Sequence, residues 1–208
     1  MGTPRGAAVI ARALRLLVMP GRTWVAIAAE PADPRGLFGR YVAPLAAIPA
    51  VCSVAGPLKF GFNIANVDVM MSPLGLVLGA FAGYALTFAA VAAAGVLVAL
   101  IARAFGGDGD RGRALELVSY AATASWIGGV AELYPSLGLA VGVLAGVYSL
   151  YTLYLGLPRM LAIPDAHRLT AFAAILVVIF GLWTARGVLA ASAAELGGPL
   201  SASYTPLR

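Results

Sequence analysis

Hydrophobic positions in this chain run in long blocks; they do not alternate with polar ones. Five stretches, about 41–62, 73–102, 114–134, 137–157 and 169–190, are almost wholly apolar. Each is long enough to cross a hydrocarbon core, which takes about 20 residues of helix. In lipid a backbone must satisfy its hydrogen bonds within its own segment or in a closed barrel. The absence of a two-residue alternation removes the barrel. The pattern therefore predicts an all-α integral membrane protein, a five-transmembrane-helix bundle in one membrane domain over 41–190. Residues 1–40 form a cytoplasmic N-terminal region, and 191–208 an external C-terminal tail.

Polar residues mark where these helices begin. Ser72-Pro73 reads as an N-cap followed by proline at the first helical position. Asp110, Ser136 and Asp165 are expected to cap the third, fourth and fifth spans. The second block is longer than a span needs, so its helix must tilt or continue towards Arg103. Before the first block, Arg5, Arg12 and Arg15 share one face of a helix and Ile10, Leu14 and Leu17 the opposite one. This amphipathic helix is suited to the cytoplasmic face of the bilayer, or else to packing on the rest of the protein. Arg12 and Arg15 interrupt the apolar run where a signal peptide would need it. Pro20-Gly21 ends this helix, a short second one follows around Trp24–Glu30, and Pro31 and Pro34 break the chain. Trp24 is expected at headgroup level.

Composition agrees with the pattern: 61% of the 208 residues are hydrophobic and 11% charged, against about 25% charged in ordinary soluble domains. The net charge of +5 is no sign of nucleic-acid binding, because its distribution follows the membrane. Eleven arginines (5, 12, 15, 22, 35, 40, 103, 111, 113, 159 and 168) fall on one side of a five-span topology, leaving Lys59, Arg186 and Arg208 at the other. Cytoplasmic segments are enriched in Lys and Arg, so the N-terminus is expected inside a bacterial cytoplasmic membrane and the C-terminus outside. The single cysteine, Cys52, excludes an internal disulfide and a thiolate metal cluster, and reads as a small buried hydrophobe.

Glycines supply the expected packing. Gly75, Gly79 and Gly83 are spaced four apart in the second block, and Gly138, Gly142 and Gly146 in the fourth. Such spacing puts glycines on one helix face and lets backbones approach closely. The two stretches also share Leu-Gly-Leu and Ala-Gly pairs, at 74–76 with 137–139 and 82–83 with 145–146, as a duplicated hairpin would. Tyr148, Tyr151 and Tyr154 form a stripe read as packing, not as a ligand box.

No catalytic, cofactor-binding or metal-binding constellation stands out. Gly106-Gly107-Asp108-Gly109-Asp110 contains the G-x-G-D pattern of intramembrane aspartyl proteases, but it lies in a polar arginine-flanked loop without a partner aspartate in any span. It reads as a turn before a cap at Asp110. His167, the sole histidine, has no cysteine or carboxylate cluster near it in sequence and makes a poor metal ligand. Ionisable residues in or beside the spans are costly and default to functional hypotheses; they are Glu116, Glu132 and Arg186. Glu132 and Arg186 reach similar depth near the external face and form a candidate ion pair.

Several strings resemble the bacterial branch of the Yip (Ypt-interacting protein) family. They are Met19-Pro20-Gly21-Arg22-Thr23-Trp24 with Ile27, Ala28 and Glu30, then Tyr41-Val42 with Pro44-Leu45-Ala46 and Ile48. Phe105-Gly106-Gly107, Ala114-Leu115 with Ser119-Tyr120-Ala121, and Tyr148-Ser149-Leu150-Tyr151 with Leu155-Gly156-Leu157-Pro158-Arg159 join them. The resemblance covers about 19–180 and implies a five-span bundle with a cytoplasmic N-terminus. Eukaryotic relatives bind prenylated Rab GTPases. Their Asp-Leu-Tyr-Gly-Pro element is absent here, where Arg40-Tyr41-Val42-Ala43-Pro44 stands instead, so Rab-type GTPase binding is not carried over. The expectation is a non-enzymatic protein that organises or adapts membrane components, its partners being the lipid bilayer and other membrane proteins or further copies of itself. A small transporter or channel subunit is the alternative, and an intramembrane enzyme a more distant one.

Overall fold

The computed structural model describes residues 5–61, 63–64, 67–70, 72–198 and 201–204, and side chains throughout these except at 5–7, 63–64, 67–70 and 201–204. Helix α1 (Arg5–Val18) is followed by α2 (Pro20–Ala29), whose first residue is the proline expected to end α1. Proline lacks only an N–H that a first turn leaves unpaired, so it starts α2 as readily as it stops α1. A short α3 (Pro34–Leu37), capped by Asp33, runs through a π-helical turn at Phe38–Val42 into α4 (Ala43–Phe60). Then come α5 (Pro73–Ala104), α6 (Arg111–Ala121), α7 (Thr123–Gly128), a 3-10 turn at Gly129–Leu133, α8 (Pro135–Met160) and α9 (Asp165–Glu195).

Four helices are long and apolar enough to cross a membrane: Pro34–Phe60, Pro73–Ala104, Pro135–Met160 and Asp165–Glu195. The block at 114–134 is instead broken into α6, α7 and the 3-10 turn. The break has a physical cause in α8. Ser149 Oγ accepts the Ser125 N–H at 3.1 Å and lies 2.9 Å from Ser125 Oγ. A side chain that takes a backbone N–H out of its ladder interrupts a helix, and the freed group is satisfied by its neighbour. Gly128 and Gly129 then loosen the last turn, and Gly129 sits against Pro49 of α4.

The broken segment lies alongside α8 in the opposite direction, with Leu117 against Gly156, Gly128 against Ala145 and Glu132 against Gly138. It also touches α5, where Leu115 packs on Gly95. α5 and α9 pack closely along their lengths. The fully buried centre, including Trp24, Leu16, Val42, Val98, Leu117, Leu153, Leu157 and Ile175, lies towards the end capped by α1 and α2. Outward-facing positions of α5, α8 and α9 are apolar, among them Phe81, Leu139, Leu144, Val177, Phe180 and Trp183. Such a surface suits lipid and would be costly in water.

Three features depart from the sequence reading. The start of α8 is capped by Tyr134 with Pro135 at the first position, so Ser136 lies inside the helix. Asp165 is the first residue of α9, where its carboxylate meets Arg168, and Pro164 precedes it. A small antiparallel sheet also joins the loop after α4 to the tail after α9: β1 (Asn63–Ile64), β2 (Val67–Met70) and β3 (Ser201–Tyr204), in that order. Its register pairs Asp68 with Ser203 and Met70 with Ser201. Ser72 and Asp110 do cap their helices, accepting from Gly75 N–H and from the Gly112 and Arg113 N–H groups.

Candidate functional site

Two polar clusters interrupt the apolar bundle, one at each end. At the α1/α2 end, Arg12 donates to the two carboxylate oxygens of Glu30 at 2.7 and 2.9 Å and to Tyr120 Oη at 3.2 Å. Burial opposes the charge on Arg12, but the hydrogen bond to Glu30 and the nearby Tyr120 outweigh it and hold the guanidinium pKa above the ordinary arginine value. Arg113 donates to the Glu30 carbonyl at 2.8 Å and, at 3.2 Å, to the Ile27 carbonyl, which also accepts the Glu30 N–H at the end of α2. Arg113 also pairs with Glu116 at 3.4 Å, and Glu116 accepts the Asp33 N–H at 3.1 Å.

Trp24, fully buried, donates from Nε1 to the Thr152 carbonyl at 2.9 Å. It is therefore a core residue and not a headgroup anchor. Its indole edge lies against Gly156, where no side chain keeps it from α8. Tyr148 donates to the Leu17 carbonyl at 2.6 Å, and Arg159 to the Gly21 carbonyl at 3.2 Å. Arg12, placed by the helical pattern on a solvent face, thus turns inward, and Ala13 and Leu16 are the buried positions of α1. Ile10, Leu14 and Val18 stay exposed, and Leu17 is partly covered. In this cluster Arg12 and Arg113 are each matched by a carboxylate within the protein, Glu30 and Glu116. Its chemistry is that of a fastening, which holds α1 and α2 to the bundle.

The other end holds a half-open cavity of about 310 Å³ between α4, α5, the 3-10 turn and α9. Small residues line it, including Ala50, Gly79, Ala80 and Ala190, and so do Glu132 and Arg186. Arg186 donates from Nε to the Gly83 carbonyl and to Thr87 Oγ1, both at 3.1 Å. No ion pair joins Arg186 to Glu132 among the described residues. The two face one space from different walls.

The glycine stripes differ in their surroundings. A Cβ at Gly75 would lie 2.8 Å from the Ala194 carbonyl, and one at Gly79 2.9 Å from the Ala194 Cβ. Gly83 has Arg186 Nη2 at 3.5 Å, and Gly138 has Glu132 Cα at 3.4 Å. A Cβ at Gly142 or Gly146 would meet nothing within 4 Å among the described residues, so these two glycines pack against no described helix. The stripe on α5 lies on α9; the two stripes do not meet. Tyr154 packs against Phe172, and Tyr151 is exposed.

The remaining candidates are scattered. Asp108 N–H donates to the Leu161 carbonyl at 2.6 Å in the loop after α5. His167 lies beside Phe105 with the rings tilted and their centroids 6.4 Å apart, and Cys52 is buried and unpaired with another cysteine. Among the described residues no group of three or more His, Cys, Asp or Glu could hold a metal ion. Sequence reasoning missed the Arg12–Glu30–Tyr120 contact, whose members are 18 and 108 residues apart from Arg12. One signal pointed towards it: Trp24, Glu30, Tyr41, Tyr120, Tyr148 and Gly156 all belong to the strings that carried the family resemblance.

The family described as the Yip1 domain matches residues 14–186. The chain is 29% identical over 145 residues to the inner membrane protein YohC of Escherichia coli strain K12, covering 68% of this chain and 74% of that protein. The same protein of Escherichia coli O6:H1 strain CFT073 matches to the same extent. No solved structure matches at a significant level.

Proposed function

The chain belongs to the Yip1 domain family, and on that premise we propose that it is a non-enzymatic inner-membrane protein which organises or adapts other membrane components. The observation that carries this reading is where the polar side chains go. At the α1/α2 end, Arg12, Glu30, Arg113 and Glu116 are consumed in holding two helices on the bundle. The result is a fixed surface and not a reactive centre. The exposed Ile10, Leu14 and Val18 of α1 give that surface an apolar strip suited to the headgroup boundary of the cytoplasmic leaflet.

In this reading the segment of α6, α7 and the 3-10 turn is a fifth crossing. Its antiparallel course beside α8 supports this, because Leu117 and Glu132 lie near opposite ends of that helix. Five crossings with the arginine-rich loops inside place the N-terminus in the cytoplasm and the tail outside. A name of inner membrane protein for a relative of 29% identity supports the location. The surface would serve other membrane proteins or a second copy of the chain.

Purification of the full-length protein from native membranes in mild detergent, followed by mass spectrometry, tests the role. Companion membrane proteins retained at near-stoichiometric yield, and released when Ile10, Leu14 and Val18 are replaced by serine, are the expected result. The cavity with Glu132 and Arg186 favours one rival, a small transporter. Solute flux into proteoliposomes that depends on both residues would replace the adaptor reading with that one.

A further inference from the structure

We propose that the cavity at the sheet end of the bundle binds the headgroup of a glycerophospholipid bearing a primary ammonium, with its phosphate on Arg186 and its ammonium on Glu132. The inference goes beyond the adaptor role and does not need it. Arg186 commits Nε alone to the protein, to Gly83 and Thr87 on α5. These two acceptors fix the guanidinium plane, and its Nη groups have no hydrogen-bond acceptor among the described residues. The Glu132 carboxylate likewise receives no hydrogen bond among them. Two opposite charges thus share one cavity, within reach of each other's field but without a direct ion pair.

Charge within a membrane is costly unless matched. Direct pairing would match these two, but the structure holds them on separate walls. A ligand with an anion and a cation at its two ends satisfies both. The guanidinium edge fits a phosphate with two parallel N–H donors, and a carboxylate accepts from a primary ammonium. A volume of about 310 Å³ stands at the small end of ligand sites, which start near 300 Å³. That is room for a headgroup and not for a whole lipid.

The acyl chains would stay in the bilayer, and the architecture gives them a way. Both α4 and α9 pack on α5, yet they make at most marginal contact with each other. The cleft between them lies over the small residues Gly79, Ala80 and Gly83 and is walled by Ala50, Pro57 and Ala190. Val51, Leu58, Val77 and Leu189, on the same helices, are exposed apolar side chains, suited to the acyl region. A soluble zwitterion would use the same two charges but would gain nothing from these flanks.

The test is the thermal midpoint of the full-length protein in detergent, titrated separately with phosphatidylethanolamine, phosphatidylglycerol, diacylglycerol and soluble O-phosphoethanolamine. Phosphatidylethanolamine should raise the midpoint at concentrations roughly tenfold below phosphatidylglycerol, the value of one charge-assisted hydrogen bond more. Diacylglycerol should have no effect. Glu132→Gln should abolish the preference while leaving the phosphatidylglycerol response, and Arg186→Gln should lose both. Because Arg186→Gln can disturb the bundle itself, Ala50→Leu provides a second variant. It fills the cavity without touching either charge, and should keep the lipid-free midpoint and lose the lipid response. Equal responses to the two phospholipids, or a preference that survives Glu132→Gln, would overturn the proposal. An equal shift with O-phosphoethanolamine would overturn the lipid assignment in favour of a soluble zwitterion.

Discussion

Gly156 has no room for a side chain. An added Cβ would meet Leu117 Cδ1 and lie 2.9 and 3.1 Å from the Cε2 and Cζ2 atoms of Trp24. Both neighbours are fully buried, so neither can yield. Gly156→Ala is expected to lower stability by about 1–3 kcal/mol, the usual cost of overpacking a core. Gly146→Ala, ten residues earlier on the same helix with nothing within 4 Å, should leave the midpoint in detergent unchanged. Equal loss in both variants would show that α8 packs otherwise. The contrast also marks what a sequence conceals at this scale. Trp24 has the composition of a headgroup anchor and the position of a core residue. Only the missing side chain at 156, far along the chain, distinguishes the two.

Elements follow the same logic over longer distances. The four long helices were legible because their apolar blocks exceed a membrane's thickness, and no tertiary contact is needed to see that. The break within 114–134 was not legible, because Ser149 of α8 causes it. The strand β3 was not legible either, since it pairs with β2 across more than 130 residues of chain, whereas β1 and β2 form a local hairpin. The glycine stripes are the clearest case. Spacing made Gly75, Gly79 and Gly83 look equivalent to Gly138, Gly142 and Gly146, but which stripe is covered depends on where α9 lies. Gly79→Leu should therefore force α5 from α9 at Ala190 and Ala194 and lower the thermal midpoint markedly. Gly142→Leu should leave it near the parent value, and a similar loss from both would reject the assignment. For the Glu132–Arg186 cavity, sequence supplied the two residues and their shared depth. The gap between them comes from α4 and the 3-10 turn, which the pattern does not encode.

For the molecule as a whole, the sheet couples topology to the C-terminal tail. Residues 67–70 pair with 201–204, so the loop after α4 and the tail must lie on one side of the membrane. Fusions after Phe105 and Pro158 should report cytoplasm, and fusions after Asp68 and at the C-terminus, beyond the described residues, should report the exterior. A cytoplasmic C-terminus with the loop after α4 outside would contradict the sheet and reject the proposed fifth crossing. Even numbers of crossings cannot satisfy both the sheet and the arginine-rich loops.

The bond from Arg186 to Gly83 and Thr87 has a consequence for biosynthesis. A chain made from its N-terminus delivers α5 to the membrane long before α9 emerges. An arginine at the centre of an inserting helix costs about 2.5–3.5 kcal/mol, less nearer its ends, and α9 carries that burden in its C-terminal half. The acceptors on α5 are then already in place, so the earlier helix can serve as a template that makes the last insertion favourable. Thr87→Val, which deletes one acceptor and keeps the shape of the side chain, should increase the fraction of newly made chains whose tail stays untranslocated. A glycosylation acceptor placed after Glu195 and read in a cell-free membrane system would measure it. An Arg186→Leu background should abolish the difference, and a Thr87→Val defect that persists there would show that the template does not act through this bond.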